Sequence, residues 1–279
     1  MKLVTYRFEE ALCVGAMDET LSAIHPIPGC GDLAALIASG TPIVPAEETV
    51  SVFDVELLSP IPHPAQDVIC LGINYYDHAA ESDAVTGKSD NVPKNPIYFA
   101  KRVNEAVAPG AAIPSHSDIV ADLDYEAELA VVIGKPAYNV SKEEALDYVF
   151  GYTILNDVTA RELQTRHKQW HFGKSLDGFC PMGPCIATAD ELPWPPAQRI
   201  YTTLNGELMQ DSRTDCLIHP IEEIVSTLSR GFVLRAGTII ATGTPKGVLM
   251  GAADGRFLQP GDEIVCTIEG IGELRNTVE

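Results

Sequence analysis

The sequence lacks a basic face, paired cysteines, long apolar runs and repeats, and each shortage closes a class of function. Lysine and arginine number 19 against 39 acids, a formal net charge of −20 over 279 residues. Such a chain has no positive surface for a nucleic-acid backbone. A small anionic substrate stays compatible, provided a local cluster of cations works against the global field. No apolar run reaches the roughly 18 residues a transmembrane helix needs, so no membrane partner is expected. The opening MKLVTYRFEEALCVG has acids at Glu9 and Glu10 and no charged-then-apolar leader pattern. The 7 cysteines are odd in number and form no CxxC pair. They read as reduced thiols in a cytoplasm, with neither a disulfide framework nor a zinc ribbon. With 46% hydrophobic residues, the chain has enough apolar side chains for a sizeable core.

The chain divides at Ser59-Pro60-Ile61-Pro62-His63-Pro64, a proline-dense stretch that continues neither a helix nor a central strand. Residues 1–60 read as a small N-terminal domain: paired strands MKLVTYRF and ALCVGAM, a short helix GDLAALIASG ending at Gly40, and a strand TVSVFDVELL. Residues 65–279 form the larger domain. Its expected strands are DVICLGINY, PIYFAKR, DIVADLDYEAELAVVIG, YTILND, TIIATG and EIVCTIEG. Its expected helices are Asn74 to Ser82, SKEEALDYV behind a Ser141–Glu144 capping box, VTARELQTRHKQW, and HPIEEIVSTLSRG capped by Gly231. Asp83 to Pro96 reads as a loop, and Asn205-Gly206 as a hairpin turn. Strands outnumber helices and connections are long, which predicts a β-rich α+β fold over a doubly wound sheet.

Chemistry concentrates in LDYEAELAVVIG. Glu126 and Glu128 are two apart, so on a strand they share one face with Ala130 and Val132, about 6.6 Å apart. Two anions beside aliphatic side chains need a positive partner; a hard dication is one, and a solvated edge strand would remove the need. Asp157, where YTILND meets the next helix, adds a third carboxylate, or serves only as an N-cap. Together the three suit Mg²⁺ or Mn²⁺. His78 and Glu81, three apart on a helix, can form a hydrogen-bonded base, or an ordinary surface contact. Arg161 and Gln164 share a helix face, and Arg161 is spaced to pair with Asp157. Lys174, in a glycine-flanked loop, can reach a developing oxyanion. Thr244, in the turn Thr242-Gly243-Thr244-Pro245, offers a hydroxyl to an anion.

Taken in order, GINYYDHAAE, PIYFAKR, DYEAELAVVIG, GYTILNDVTARELQ, GKSLDGFCPMGP, ATGTPKGV and LQPGDEIVCTIEGIGELRN resemble the fumarylacetoacetate hydrolase family from about Asp67 to the C-terminus. The resemblance implies a mixed β-sandwich roll behind a small N-terminal domain, assembled as a cytosolic homodimer. It implies Mg²⁺ or Mn²⁺ held by Glu126, Glu128 and Asp157, a His78–Glu81 dyad on a lid, an active-site Lys174, and substrate contacts from Gln164, Thr244, Arg161 and Lys101. One departure stands out. Many relatives carry proline after this lysine, whereas Lys101 is followed by Arg102-Val103-Asn104; those side chains facing the pocket would make the substrate unusual.

The implied activity is metal-dependent hydrolysis of a C–C bond in acylpyruvate-like 2,4-dioxo acids through an enolate. His78 would activate water, Lys174 would stabilise the oxyanion and Gln164 would orient a small anionic 2-oxo acid. Oxaloacetate decarboxylation and hydroxymuconate-type isomerisation use the same enolate, and a non-catalytic metal-binding homologue would keep the carboxylates alone.

Overall fold

The computed structural model describes residues 1–87, 92–252 and 255–279. It is α+β and strand-rich, as the order of elements predicts. An 11-stranded sheet runs from Val50–Ser51 through the N-terminal strands to Lys2–Phe8. It continues across Met182–Thr188, Val149–Asn156, Ala127–Ile133, Ile239–Ala241 and Val68–Gly72 to Ile97–Lys101. Most pairs are antiparallel; Ile239–Ala241 and Val68–Gly72 run parallel. A 5-stranded sheet packs behind it, in the order Glu207–Arg213, Arg199–Leu204, Glu263–Ile268, Gly272–Val278 and Ala112–Ile113.

The strand Ala127–Ile133 is buried along its whole length, so its two faces feed two cores. Leu129, Val131 and Ile133 pack in the cluster that contains Ile200, Ile264 and Leu274 of the second sheet. Ala130 and Val132 pack in the other, with Cys70, Leu155 and Ala241. Side-chain alternation places Glu128 on this second face, where aliphatic neighbours leave its carboxylate without water. Leu3, Val14, Ile27, Leu33 and Ile37 belong to the same cluster, and Lys2–Phe8 pairs directly with Met182–Thr188. The N-terminal strands therefore buttress the sheet that carries the carboxylates.

Several elements differ in extent from the sequence reading, for local reasons. TVSVFDVELL is not one strand: Ser51 accepts the Phe53 N–H at 3.2 Å and starts a 3-10 turn over Val52–Asp54. The helix after Asn74 runs over Tyr76–Thr86 and ends at Gly87, whose φ of 66° is a left-handed cap. It thus takes in the first residues of the expected Asp83–Pro96 loop; residues 88–91 of that loop lie outside the described residues. The Ser141–Glu144 capping box forms, with the Ser141 hydroxyl 2.9 Å from Glu144 Oε2, but it precedes only a 3-10 turn over Ala145–Tyr148. VTARELQTRHKQW forms a helix only over Arg161–Arg166, because Lys168 turns to φ 60°, and a second short helix, His171–Lys174, follows. Gly231 is the last residue of the helix Ile221–Gly231, and Phe232 is its cap.

Those two short helices cross closely beneath the sheet edge, and Gly173 is what lets them. A Cβ there would lie 2.3 Å from the Gln164 backbone nitrogen and 2.7 Å from the Ala160 carbonyl oxygen. Gly173→Ala must push backbone apart beside Lys174. Urea unfolding is expected to show a loss of about 1–3 kcal/mol; a variant as stable as the parent would refute the close crossing.

Candidate active site and metal centre

The sheet register builds a carboxylate floor. Glu128 sits opposite Leu155 in the pairing of Ala127–Ile133 with Val149–Asn156, so Asp157, just beyond the neighbouring strand, comes alongside it. Glu126 precedes the first strand residue. Its N–H donates to Asn156 Oδ1 at 3.0 Å, and its carbonyl accepts the Asp157 N–H at 2.8 Å. One carboxylate oxygen from each of Glu126, Glu128 and Asp157 lies within 4.8 Å of the others, and all three residues are buried.

Cations neutralise two of the three acids. Lys174 Nζ donates to Glu126 Oε2 at 2.8 Å and to Asp157 Oδ2 at 2.7 Å. Arg161 Nη1 lies 2.7 Å from Glu126 Oε1, and its Nε donates to Asp124 Oδ2 at 2.8 Å. Burial alone would lift the Glu126 carboxyl, but the Lys174 ammonium and the Arg161 guanidinium reverse that and hold it well below the usual carboxylate range. Burial likewise opposes the Lys174 charge, yet Asp157 and Glu126 outweigh it and raise its pKa. Lys174 is therefore an ammonium here, a donor to negative oxygen and not a nucleophilic amine.

Glu128 is left over. Its Oε2 accepts the Gly243 N–H at 2.7 Å, while Oε1 is buried and has no hydrogen-bond partner among the described residues. Burial, and then the charges of Asp157 and Glu126, push its pKa well above the usual range. A buried carboxylate oxygen without a partner is costly, and two more acids stand beside it. The residues fit a hard divalent cation: an all-oxygen set, one unsatisfied oxygen, and no thiol or imidazole among the three.

Above the floor is a cavity of about 290 Å³ whose wall includes His78, Phe99, Arg161, Gln164, Trp170, Lys174 and Thr244. His78 Nδ1 lies 2.9 Å from Glu81 Oε2 on the helix Tyr76–Thr86, so the expected dyad forms. Glu81 Oε1 accepts the Gly247 N–H at 2.9 Å, which docks this helix on the turn after Thr244. Gln164 Oε1 accepts from Arg161 Nη1 at 3.2 Å.

The structure redistributes some expected contacts. Arg161 pairs with Asp124 and Glu126 and makes no ion pair with Asp157. Asp157 caps no helix; Ala160 holds that position for Arg161–Arg166. Lys101 is fully buried behind Asp157 and lines no part of the cavity. Its ammonium donates to Asp157 Oδ1 at 2.7 Å, to the Val158 carbonyl at 3.1 Å, and to the Lys174 carbonyl. Arg102, Val103 and Asn104 also turn away: Arg102 pairs with Asp67, Val103 is buried in the second core, and Asn104 donates to Asp177. Two contributors went unread in the sequence. Asp124 is wholly buried and accepts from Arg161 and from the Tyr125, Leu249 and Met250 N–H groups. Gln210, on a strand of the second sheet, donates to Thr244. Asp124 had a signal in its two-residue spacing from Glu126; Gln210 had none.

The strand-rich roll gathers three buried carboxylates under a His–Glu pair, an arrangement that could hold one divalent cation beside an imidazole base. The model of the fumarylacetoacetate (FAA) hydrolase C-terminal domain matches residues 67–279, and the chain belongs to the fumarylacetoacetate hydrolase family. It is 46% identical over 228 residues to the oxaloacetate tautomerase YisK of Bacillus subtilis, covering 82% of this chain and 74% of that protein. Among solved structures, a fumarylacetoacetate hydrolase from Exiguobacterium antarcticum superposes with a TM-score of 0.89 at 36% identity, over 100% of this chain and 99% of the other. A 5-carboxymethyl-2-hydroxymuconate delta-isomerase from Mycobacterium smegmatis does so at 0.80 and 30% identity, over 100% and 99%.

The orphan oxygen gives a test with a definite sign. Glu128→Gln keeps an acceptor for Gly243 and removes one of three crowded charges. Without added metal the variant is expected to melt at or above the parent's temperature. With Mn²⁺ at about 100 times its dissociation constant, the parent gains about 2.7 kcal/mol and the variant gains little. A variant that is destabilised without metal, or stabilised by Mn²⁺ like the parent, would contradict this reading of Glu128.

Proposed function

We propose that this protein is a divalent-metal-dependent enzyme that interconverts the keto and enol forms of a short 2-oxo dicarboxylic acid such as oxaloacetate. The observation that carries it is the placing of one imidazole base, His78 on Glu81, in the wall of a small cavity floored by three carboxylates. The tautomerase and the isomerase among its relatives support a reaction that moves a proton.

Mg²⁺ or Mn²⁺ held by Glu126, Glu128 and Asp157 would supply Lewis acidity at the substrate's carboxylate and 2-oxo oxygens. The protein does the rest. Glu81 takes Nδ1 of His78, which fixes the tautomer and leaves Nε2 as the basic nitrogen. His78 removes a proton from the carbon beside the carbonyl; the C–H pair becomes the C=C bond, the C=O π pair moves onto oxygen, and the proton taken up by His78 is passed to that oxygen, with no water consumed. The Lys174 ammonium stabilises charge on that oxygen as it develops. Arg161, Gln164 and Thr244 hold the carboxylates, and the docked helix Tyr76–Thr86 keeps water from the carbanionic carbon. A cytosolic homodimer without nucleic-acid or membrane partners belongs to the same reading; among the described residues no helix is long and apolar enough to cross a membrane.

A second reading is hydrolytic C–C cleavage of an acylpyruvate-like acid, favoured by the same dyad, since an imidazole held by a carboxylate also activates water. Oxaloacetate decarboxylation needs the enolate but no base. Proton and carbon NMR of Mn²⁺-loaded enzyme in D₂O separates the three: deuterium entering carbon 3 without cleavage, acid plus pyruvate, or CO₂ plus pyruvate. Deuterium exchange outrunning any cleavage is expected; cleavage without exchange would overturn the primary reading. His78→Ala is expected to lower the exchange rate by about 100- to 10,000-fold while Mn²⁺ affinity stays within a few-fold; full activity in that variant would remove the dyad from the mechanism.

A further inference from the structure

We infer that Gln210 is a positioning residue that fixes the direction of the Thr244 hydroxyl, so that its proton faces the substrate's anionic end. The inference rests on the proposed function only in that Thr244 meets a carboxylate.

Gln210 lies on Glu207–Arg213, in the sheet behind the site, and is completely buried. All of its amide's hydrogen bonds are accounted for. Oε1 accepts the Ala127 N–H at 3.1 Å and the Thr202 hydroxyl at 2.8 Å. Nε2 donates to the Pro245 carbonyl at 2.8 Å and to Thr244 Oγ1 at 2.8 Å. An amide's two ends look alike by shape, and the network decides which is which. Here backbone groups decide it. The Ala127 N–H can only donate and the Pro245 carbonyl can only accept, so a flipped amide would set hydrogen against hydrogen and oxygen against oxygen.

That orientation has a consequence for Thr244. Both protons of Nε2 are committed, one to Pro245 and one to Thr244, so Thr244 Oγ1 is an acceptor toward Gln210. A hydroxyl that accepts on one side must send its own proton elsewhere. Among the described residues no acceptor takes it, and Thr244 lines the cavity beside Lys174 and Arg161. The proton is thereby left for the cavity, where a carboxylate would sit and which the two cations also line. A serine or threonine hydroxyl left to rotate would have to be ordered on binding; this one is set beforehand. The same amide holds the Ala127 N–H, one residue from each of Glu126 and Glu128. One side chain of the second sheet thus ties the metal-binding strand to the anion-binding turn.

The test uses Mn²⁺-loaded protein and oxalate, a planar dicarboxylate with the shape of a 2-oxo acid enolate, titrated calorimetrically. Thr244→Val should weaken oxalate binding by about 10- to 100-fold, the range for a hydrogen bond to a charged group. Gln210→Leu should weaken it comparably with Thr244 present and add less than two-fold in the Thr244→Val background, a coupling that a merely structural role would not produce. Mn²⁺ affinity should stay within a few-fold throughout. Gln210→Glu, which keeps an acceptor for Ala127 but attracts the Thr244 proton back, serves if the leucine variant does not fold, and should lose oxalate affinity in the same Thr244-dependent way. Equal losses in both backgrounds, or parental oxalate affinity in a folded Gln210 variant, would overturn the inference. A parent that binds neither Mn²⁺ nor oxalate would instead sink the proposed function.

Discussion

The site depends on an imbalance of buried charge. Four carboxylates, Asp124, Glu126, Glu128 and Asp157, share a small volume with three cations, Lys101, Arg161 and Lys174. Each cation is held by at least one of the acids, and the count is one positive charge short. The shortage falls on Glu128, whose Oε1 has no partner and whose pKa is driven up by burial and by Asp157 and Glu126. Adding a dication turns a deficit of one into an excess of one. That excess is what a chain of net charge −20 needs in order to attract an anionic acid into one of its own cavities.

The fold exists in part to keep this arrangement dry and in register. Glu128 projects from a strand buried on both faces, so water cannot relieve it. The register with Val149–Asn156 sets Asp157 beside it, and the close crossing allowed by Gly173 sets Lys174 across Asp157 and Glu126. Lys101, with no exposed surface, spends its donors on Asp157, on Val158 and on the backbone of Lys174. It therefore orients the floor from behind. The helix Tyr76–Thr86 closes from above, held by the Gly247 N–H on Glu81. The large sheet, two short helices and one docked helix thus converge on one cavity, and the candidate groups come from separate parts of the chain.

What the sequence disclosed follows from how local each feature is. The Glu126–Glu128 spacing, the three-residue His78–Glu81 spacing and the Asn205-Gly206 hairpin depend on neighbours a few residues away, and all appear in the structure. Asp157 stood out at a strand end and Lys174 in a glycine-flanked stretch, and the family resemblance gave both a role; their partners are distant in the chain. Residues whose meaning comes from far along the chain were not legible. Lys101 reads as a substrate contact, and only the fold shows its ammonium turned from the cavity and against Asp157, 56 positions away. Arg161 is spaced to reach Asp157, but the short helix and the two-stranded pairing of Thr159–Ala160 with Leu123–Asp124 bring Asp124 to it first. Gln210 meets Thr244 across the two sheets, a contact no local pattern encodes. Element ends were misjudged where one residue changes the backbone's course, as at Lys168 and Gly87.

The central claim is that Glu128 Oε1 waits for a cation shared with Glu126 and Asp157. Anomalous diffraction from crystals grown with Mn²⁺ tests it without reference to any reaction. The account predicts a single strong peak at about 2.1 Å from one oxygen of each of the three carboxylates, in the range for a hard octahedral dication, with water completing its shell on the cavity side. A peak elsewhere, or no peak with Lys174 still bridging Glu126 and Asp157 and Glu128 Oε1 still unpartnered, would contradict it.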